Sequence, residues 1–199
     1  MTFELHITLS QFDLPAANDR VELLNRFQTT YFRIHQWSFT TIHSPSTGTI
    51  ELFSIPVRTK HLSLDLYRTE IDTTTTTDGN LFENIEHISL HLTNSSEATN
   101  LIRSPNAQTL RLISHYHEHE LYPKQLLVNI SRAVNLSKLT SIELDGQHFP
   151  ISSLVLLDYT PNLHSLTLAF QNLIKMTRSL TDQTLCRRLS TLIKHLTIK

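Results

Sequence analysis

The sequence predicts an α/β protein, a solenoid in which a curved parallel sheet lines the concave side while helices and loops lie on the convex side. Two observations support this fold class. Short segments with alternating aliphatic residues recur along the chain, and helical periodicity marks several of the segments between them. Strands that alternate with helices build parallel sheets, because right-handed crossovers return the chain to the same sheet.

The strand-like segments have an aliphatic residue at every second position. They span residues 4–9, 60–66, 86–92, 108–113, 140–145, 164–170 and 194–199. From the second segment onward the first aliphatic residues are 26, 22, 32, 24 and 30 positions apart, at Leu62, Ile88, Leu110, Ile142, Leu166 and Leu196. The longer interval before Leu62 leaves room for one degenerate unit around residues 31–37. We therefore expect a single domain over residues 1–199 with about eight irregular units.

The segments between strands carry helix and turn signals. Helices are expected over residues 18–29, 94–105, 122–136 and 174–190. The third of these helices has an apolar stripe along one face. A single unit could not bury this face, so neighbouring units must stack against it. The stripe comprises Leu126, Leu127, Ile130, Ala133 and Val134. Polar, turn-rich runs at 43–49 and 69–80 predict loops. Trp37, with Tyr31, Phe32 and Phe39, is expected to fill an N-terminal core.

Residues 139–170 resemble a leucine-rich repeat. Its apolar positions are occupied by Leu139, Ile142, Leu144, Phe149, Leu154, Leu157, Leu163, Leu166 and Leu168, while Gln147 stands where the family usually has Asn or Cys. Long units with "TPNL" before a strand are similar to those of F-box-type leucine-rich repeat proteins. That resemblance implies a solenoid that captures a substrate for a ubiquitin ligase. No F-box is recognisable, and the last strand carries no polar cap, so we expect a fragment or a truncated array, with end-to-end pairing with another chain as the alternative.

The alternation also predicts which side chains meet a partner. Residues on the wet side of each strand would share the concave face, where charge complementarity would bind a protein partner without catalysis. The candidate binding residues are Arg33, His35, His61, Asp65, His87, His91, Arg111, Glu143 and Asp145. Together with His6 and His195, half of the twelve histidines would share this face, which predicts affinity that changes between about pH 5 and 8.

The stretch "SHYHEHE" at residues 114–120 supports an alternative function. On an extended strand, His115, His117 and His119 would share one side, so that two of them could reach one metal ion. This alternative is a metal-binding protein or a metal-dependent enzyme. However, the stretch lies where the array needs a polar turn, and no second ligand cluster has suitable spacing. We therefore expect no metal and no cofactor.

The composition excludes several classes of function. Lys and Arg (17) nearly balance Asp and Glu (18), which argues against nucleic-acid binding, and three glycines cannot supply a phosphate-binding loop. The single cysteine, Cys186, excludes an intrachain disulfide, and it lies in an amphipathic segment without an adjacent base, so no catalytic activity is expected. The chain has neither a basic n-region before an apolar stretch nor a membrane-spanning apolar run. We therefore expect an intracellular protein, cytoplasmic or nuclear.

Overall fold

The computed structural model describes residues 4–10, 19–35, 37–44, 48–65, 70–73, 81–92, 102–114, 123–146, 149 and 155–199. The strands in these ranges form two sheets, one antiparallel with four strands and one parallel with six. The predicted α/β class and the parallel sheet are thus confirmed. Among the helices of the described ranges, none combines the length and apolar character needed to cross a bilayer.

The antiparallel sheet contains the first three strands of the chain and the fifth, which follows the first strand of the parallel sheet. The antiparallel sheet has the order β1-β3-β2-β5 and contains β1 (His6–Ser10), β2 (Ser38–Ser44), β3 (Thr49–Ile55) and β5 (Glu70–Thr73). The parallel sheet has the order β10-β9-β8-β7-β6-β4 and contains β4 (His61–Asp65), β6 (His87–Leu92), β7 (Thr109–Ser114), β8 (Ser141–Asp145), β9 (Ser165–Leu168) and β10 (His195–Ile198). The helices are α1 (Asp19–Arg26), α2 (Thr30–Ile34), α3 (Pro123–Ala133), α4 (Val155–Tyr159), α5 (Phe170–Met176) and α6 (Gln183–Leu192).

Each strand of the parallel sheet points its aliphatic residues to the same face. The strands pair in the register expected from the repeat, with Leu62 opposite Ile88 and so on across the sheet to Leu196. On β4 and on β6 to β9, the two aliphatic positions that the register aligns, beginning with Leu62 and Leu64, are 0 to 4% exposed. Alternation along a strand therefore separates a buried apolar face from a polar one.

The helices pack on the apolar face. Buried residues of α3, α4, α5 and α6 belong to the same hydrophobic core as the strands, among them Ile130, Leu157, Leu173 and Leu189. The apolar stripe predicted within residues 122–136 is confirmed, since four of its members are buried and Leu127 packs against the core.

The helix predicted over residues 174–190 is wrong as a single element. The helical backbone ends at Met176 and begins again at Gln183. Between them Arg178, Ser179 and Leu180 adopt positive φ, and the Thr177 hydroxyl accepts the backbone N–H of Leu180. Leu180, which a continuous helix over 174–190 was expected to turn inward, is consequently 58% exposed.

A repeated backbone hydrogen bond joins successive units at the amino ends of the parallel strands. The carbonyl of Lys60 accepts two consecutive N–H groups, those of Glu86 and His87. The same two-to-one arrangement recurs at the carbonyls of Glu86, Gln108, Thr140 and His164. Units of unequal length therefore enter the sheet with identical geometry.

An asparagine ladder runs beside this backbone ladder. The side-chain amides of Asn84, Asn106 and Asn162 each lie four residues before the first aliphatic residue of a strand. They donate to the backbone carbonyls of Val57, Glu83 and Ser137 in the preceding units, over 3.0, 2.9 and 2.6 Å. The residue after each asparagine, such as Ile85 or Leu163, is buried. The ladder thus satisfies carbonyls where the chain turns into each strand.

The first two predicted repeat segments do not join the parallel sheet. Residues 6–10 pair antiparallel with β3, and residues 30–34 form a helix instead of a degenerate strand. Part of the predicted loop at 69–80 is also β5, which pairs with β2. Six of the expected repeat strands therefore form the parallel ladder.

For the helix predicted from Asn94, residues 93–101 lie outside the described part of the chain, and residues 102–104 are not helical.

The antiparallel sheet links two hydrophobic clusters. On one face, Phe39 and Leu52 pack with Leu24 of α1 and with the partly buried Phe32 and Trp37. This confirms the predicted N-terminal core, except that Tyr31 is 59% exposed. On the other face, Ile42 and Phe53 belong to the same core as Leu62 and Leu64 of β4. The aliphatic residues of β4, which is an edge strand of the parallel sheet, are therefore buried.

Candidate functional site

The polar face of the parallel sheet presents three rows of side chains in register. We define it as the residues that alternate with the aligned aliphatic positions of β4 and of β6 to β10. The row nearest the amino ends runs His61, His87, Thr109, Ser141, Ser165, His195. The middle row runs Ser63, Ser89, Arg111, Glu143, Thr167, Thr197, and the third includes Asp65, His91, Ile113 and Asp145. The sheet therefore places six of the nine predicted binding residues on one surface, and the backbone of a seventh, Asp65, lies in register with them.

Charged side chains form a network at the centre of this face. Arg111 of β7 forms an ion pair with Asp145 of β8 through Nη2, and its Nε lies 3.7 Å from Oε1 of Glu143. Lys199 approaches the same Glu143 oxygen from the far side. The hydrogen bond to Asp145 is the main cause that raises the pKa of Arg111 above its ordinary value. Two acids and two bases thus hold one another in fixed positions across adjacent strands.

Histidines dominate the β4 and β6 side of the polar face. The rings of His61 and His87 stack with centroids 4.4 Å apart and an angle of 10° between their planes. Nε2 of His91 lies 3.0 Å from the hydroxyl oxygen of Ser63, at hydrogen-bonding distance. His61 is exposed and His87 is half-buried, so this pair can meet solvent or a partner. The stacked imidazole rings offer a flat, polar contact surface.

The structure does not bring Arg33 and His35 to the polar face. Arg33 lies in the short helix α2, and His35 follows this helix with its ring stacked on Trp37 at 5.1 Å. The prediction that these two residues share the parallel-sheet surface is wrong, because residues 30–34 are helical rather than a strand. His6 is also elsewhere, on β1 of the antiparallel sheet, where its ring stacks on Phe53.

The predicted metal ligands His115, His117 and His119 lie outside the described residues. Elsewhere, in the part of the chain that the structure describes, no group of three or more His, Cys, Asp or Glu side chains could hold a metal ion. The backbone of Asp65 belongs to β4, in register with His91. The metal-site alternative therefore stays a prediction from the sequence.

The comparison finds no matching protein-family model, no similar curated protein and no similar solved structure. The polar face therefore rests on its own geometry.

Sequence reasoning missed Lys199 as a member of the charged network. Lys199 donates its backbone N–H to Leu168 of β9, so it extends the ladder just beyond β10. It follows Leu196 by three positions, as Asp145 follows Ile142. Extending the alternation by one step would have placed Lys199 on the polar face.

A polar groove lies at the amino ends of β4, β6 and β7. It has a volume of about 600 Å³, and its walls include Arg58, Lys60, Glu83 and Glu86. Lys60 and Glu86 form an ion pair over 2.9 Å, and the hydrogen bond from Lys60 lowers the pKa of Glu86. Charges of both signs are balanced in this groove, so it lacks the excess of positive charge that a phosphate group requires.

Gly146 fixes the backbone directly after Asp145 and provides a test of this geometry. Its φ is +139°, and a Cβ atom there would lie 2.7 Å from the carbonyl oxygen of Ser114. The Asn172 amide donates to the Gly146 carbonyl over 2.7 Å, which holds the turn in place. We expect Gly146→Ala to reduce the free energy of unfolding by about 1 to 3 kcal/mol, measured by urea denaturation. A stability equal to wild type would contradict this tight approach of β8 to β7.

Proposed function

We propose that the chain is a non-catalytic interaction protein that binds a protein partner through the polar face of its parallel sheet. The observation that carries this proposal is the charged network of Arg111, Glu143, Asp145 and Lys199, which lies on β7, on β8 and just beyond the end of β10. Their ion pairs hold these side chains in place, yet the side chains are 26 to 53% exposed, so a partner can contact them. A preformed pattern of both charge signs favours recognition by charge complementarity.

The remainder of the polar face suits the same purpose. Beside the network lie short hydroxyl side chains such as Ser63 and Thr167, and the stacked pair His61 and His87. Small residues leave room for a partner to approach, while the imidazoles add flat polar area. A broad, shallow surface of this kind fits a folded protein better than a small molecule, which requires an enclosed pocket.

We propose further that the parallel sheet is the inner, concave side of a leucine-rich-repeat-type solenoid. The recurring two-to-one backbone bonds and the asparagine ladder support this, because both repeat once per unit despite unequal unit lengths. The resemblance to F-box-type repeats adds a more specific proposal, that the partner is a substrate presented to a ubiquitin ligase. The setting is intracellular, cytoplasmic or nuclear, which agrees with a single unpaired cysteine.

Exchange of one ion pair tests the binding proposal. In the double variant Arg111→Asp with Asp145→Arg, the pair is kept but the charges that a partner meets are reversed. We expect stability close to wild type and loss of the partners captured from the source cells by the tagged protein. Arg132→Glu, on an exposed position of α3 away from the polar face, is the control and should keep those partners. The readouts are urea denaturation and quantitative mass spectrometry of the captured proteins.

The outcomes separate the two levels of the proposal. Partners retained by the charge-exchange variant would refute binding through the polar face. Partners lost by exchange that include ubiquitin-ligase core subunits or ubiquitinated proteins would support the ligase role. Partners lost by exchange without any ligase component would keep the scaffold and refute the ligase role.

A further inference from the structure

Two histidines lie directly opposite each other on neighbouring strands of the parallel sheet. His61 of β4 is the register partner of His87 of β6, and both side chains belong to the polar face. Their rings stack with centroids 4.4 Å apart and with an angle of 10° between their planes. In the registers of the described strands, this is the only pair of histidines placed opposite each other. The sheet thus brings two potential metal ligands together.

The ring nitrogens of this histidine pair lack partners within the described residues. In that part of the chain, neither ring makes a hydrogen bond or joins an ion pair. By contrast, Nε2 of His91 on the same face lies 3.0 Å from the hydroxyl oxygen of Ser63. A neutral imidazole has one nitrogen with a lone pair in the plane of the ring. Each ring of the pair therefore has a nitrogen available to a metal ion.

A rotation of the side chains lets both rings bind one ion. Metal–nitrogen bonds of histidine are about 2.0–2.1 Å long, so two ligating nitrogens on one ion lie at most about 4.2 Å apart. The χ2 torsion of histidine has broad minima, so each ring can turn toward the other at little cost. His61 is exposed and His87 is half-buried, which leaves space for this rotation. The two nitrogens can therefore converge without movement of the backbone.

The surroundings of the pair favour an added positive charge. The neighbouring positions of the polar face are uncharged: Thr109, Ser63 and Ser89. Glu86, the residue before His87, forms an ion pair with Lys60. The hydrogen bond from Lys60 is the main cause that lowers the pKa of Glu86, and the charges of Lys60, His87 and His61 lower it further. The Glu86 carboxylate is thus near enough to attract a cation held by the two rings.

We propose that His61 and His87 form a two-ligand site for a divalent transition-metal ion such as Zn²⁺, Ni²⁺ or Cu²⁺. Each histidine supplies one ring nitrogen, and the remaining coordination positions are open to water or to ligands from another molecule. Imidazole suits these ions, whereas Mg²⁺ and Ca²⁺ prefer oxygen ligands. The site is separate from the histidine stretch at residues 114–120, and it does not depend on the partner proposed for the polar face.

Calorimetric titration with a metal ion tests this inference. The parent protein is the full chain in which His115, His117 and His119 are replaced by Gln, so that these histidines cannot compete for the ion. The probe is NiCl₂. We expect saturable binding of one Ni²⁺ per chain and no binding of Mg²⁺ at the same concentrations. Absence of saturable Ni²⁺ binding, or equal binding of Mg²⁺, would overturn the proposal.

Single substitutions in this parent protein locate the site and distinguish shared from separate binding. His61→Gln and His87→Gln should each weaken Ni²⁺ binding at least about tenfold, because removal of either ring leaves one ligand. His43→Gln, on β2 of the antiparallel sheet, is the control and should bind as the parent protein does. If each single variant kept half of the bound Ni²⁺ at unchanged affinity, the two histidines would bind ions separately and the shared site would be refuted. Unchanged binding by both variants would place the ion elsewhere and refute it as well.

Discussion

Replacement of Leu112 by Ala is expected to lower the free energy of unfolding by about 2 to 5 kcal/mol. Leu112 lies on β7, near the centre of the parallel sheet, and is fully buried between Leu90 of β6 and Leu144 of β8. Truncation removes apolar contacts on both sides and leaves a cavity in a close-packed core. Urea denaturation followed by circular dichroism measures the change.

The matched control for this core substitution is Leu180→Ala. Leu180 is the same residue type but is 58% exposed in the turn between α5 and α6. It should change stability by less than about 1 kcal/mol. Similar losses for both leucines would show that burial does not distinguish these two positions, and would contradict the assignment of the apolar face.

The second large effect concerns Glu51, a carboxyl group held in the antiparallel sheet. Burial raises the pKa of Glu51 from 4.5 to about 7. Its nearest ionisable partner is His6, whose Nε2 lies 4.0 Å from Oε2 of Glu51. Burial also lowers the pKa of His6, so desolvation outweighs the mutual attraction of the pair. Ionising Glu51 therefore costs the native state more than it costs the unfolded chain.

This pKa shift predicts that the contribution of Glu51 to stability falls as the pH rises. Below pH 4.5 Glu51 is protonated in both states, and the penalty grows until the pH passes about 7. Glu51→Gln should match wild type near pH 4.5 and exceed its unfolding free energy by about 1 to 3 kcal/mol near pH 8. Glu83→Gln, on an exposed turn, is the control. A Glu51→Gln gain that is equal at both pH values would contradict the shifted pKa.

The sequence predicted the parallel sheet because period-two alternation directly reports which side of a strand is buried. Leu62, Ile88 and Leu110 occupy the same position in a recurring sequence pattern, and in the structure they lie opposite one another on neighbouring strands. Register follows from this pattern, because a slip by one residue would turn the aliphatic residues into solvent. Most of the candidate binding residues were found for the same reason, since they alternate with the aliphatic positions.

The antiparallel sheet could not be read from the same signal. Alternation in residues 4–9 is equally compatible with parallel and antiparallel pairing, because the period of a strand does not encode the direction of its neighbour. Thr40, Thr41 and Ser54 are buried polar residues of β2 and β3, so those strands lack the apolar pattern of the repeat. The error at Arg33 and His35 has a different cause: the long interval before Leu62 suggested a degenerate strand around residues 31–37, but residues 30–34 form a helix.

The ion pairs and the asparagine ladder depend on contacts between distant parts of the chain. Asn106 and Glu83 are 23 residues apart, and Lys199 and Glu143 are 56 apart. Pair geometry of this kind appears only when units of unequal length are aligned in space. The sequence did contain a hint, since asparagine precedes the first aliphatic strand residue by four positions in three units.

The two-to-one backbone bonds, with the asparagine ladder beside them, repeat the same geometry where the chain enters the strands, whereas the rest of each unit varies in length. The five residues from Asn84 to Ile88 have the same spacing as those from Asn162 to Leu166, yet consecutive strands begin 22 to 32 residues apart. All of that variation falls in the return path after the strand. An insertion there would lengthen a unit without displacing its neighbours. The architecture thus permits evolution to reshape its connecting segments one at a time while the binding rows keep their alignment.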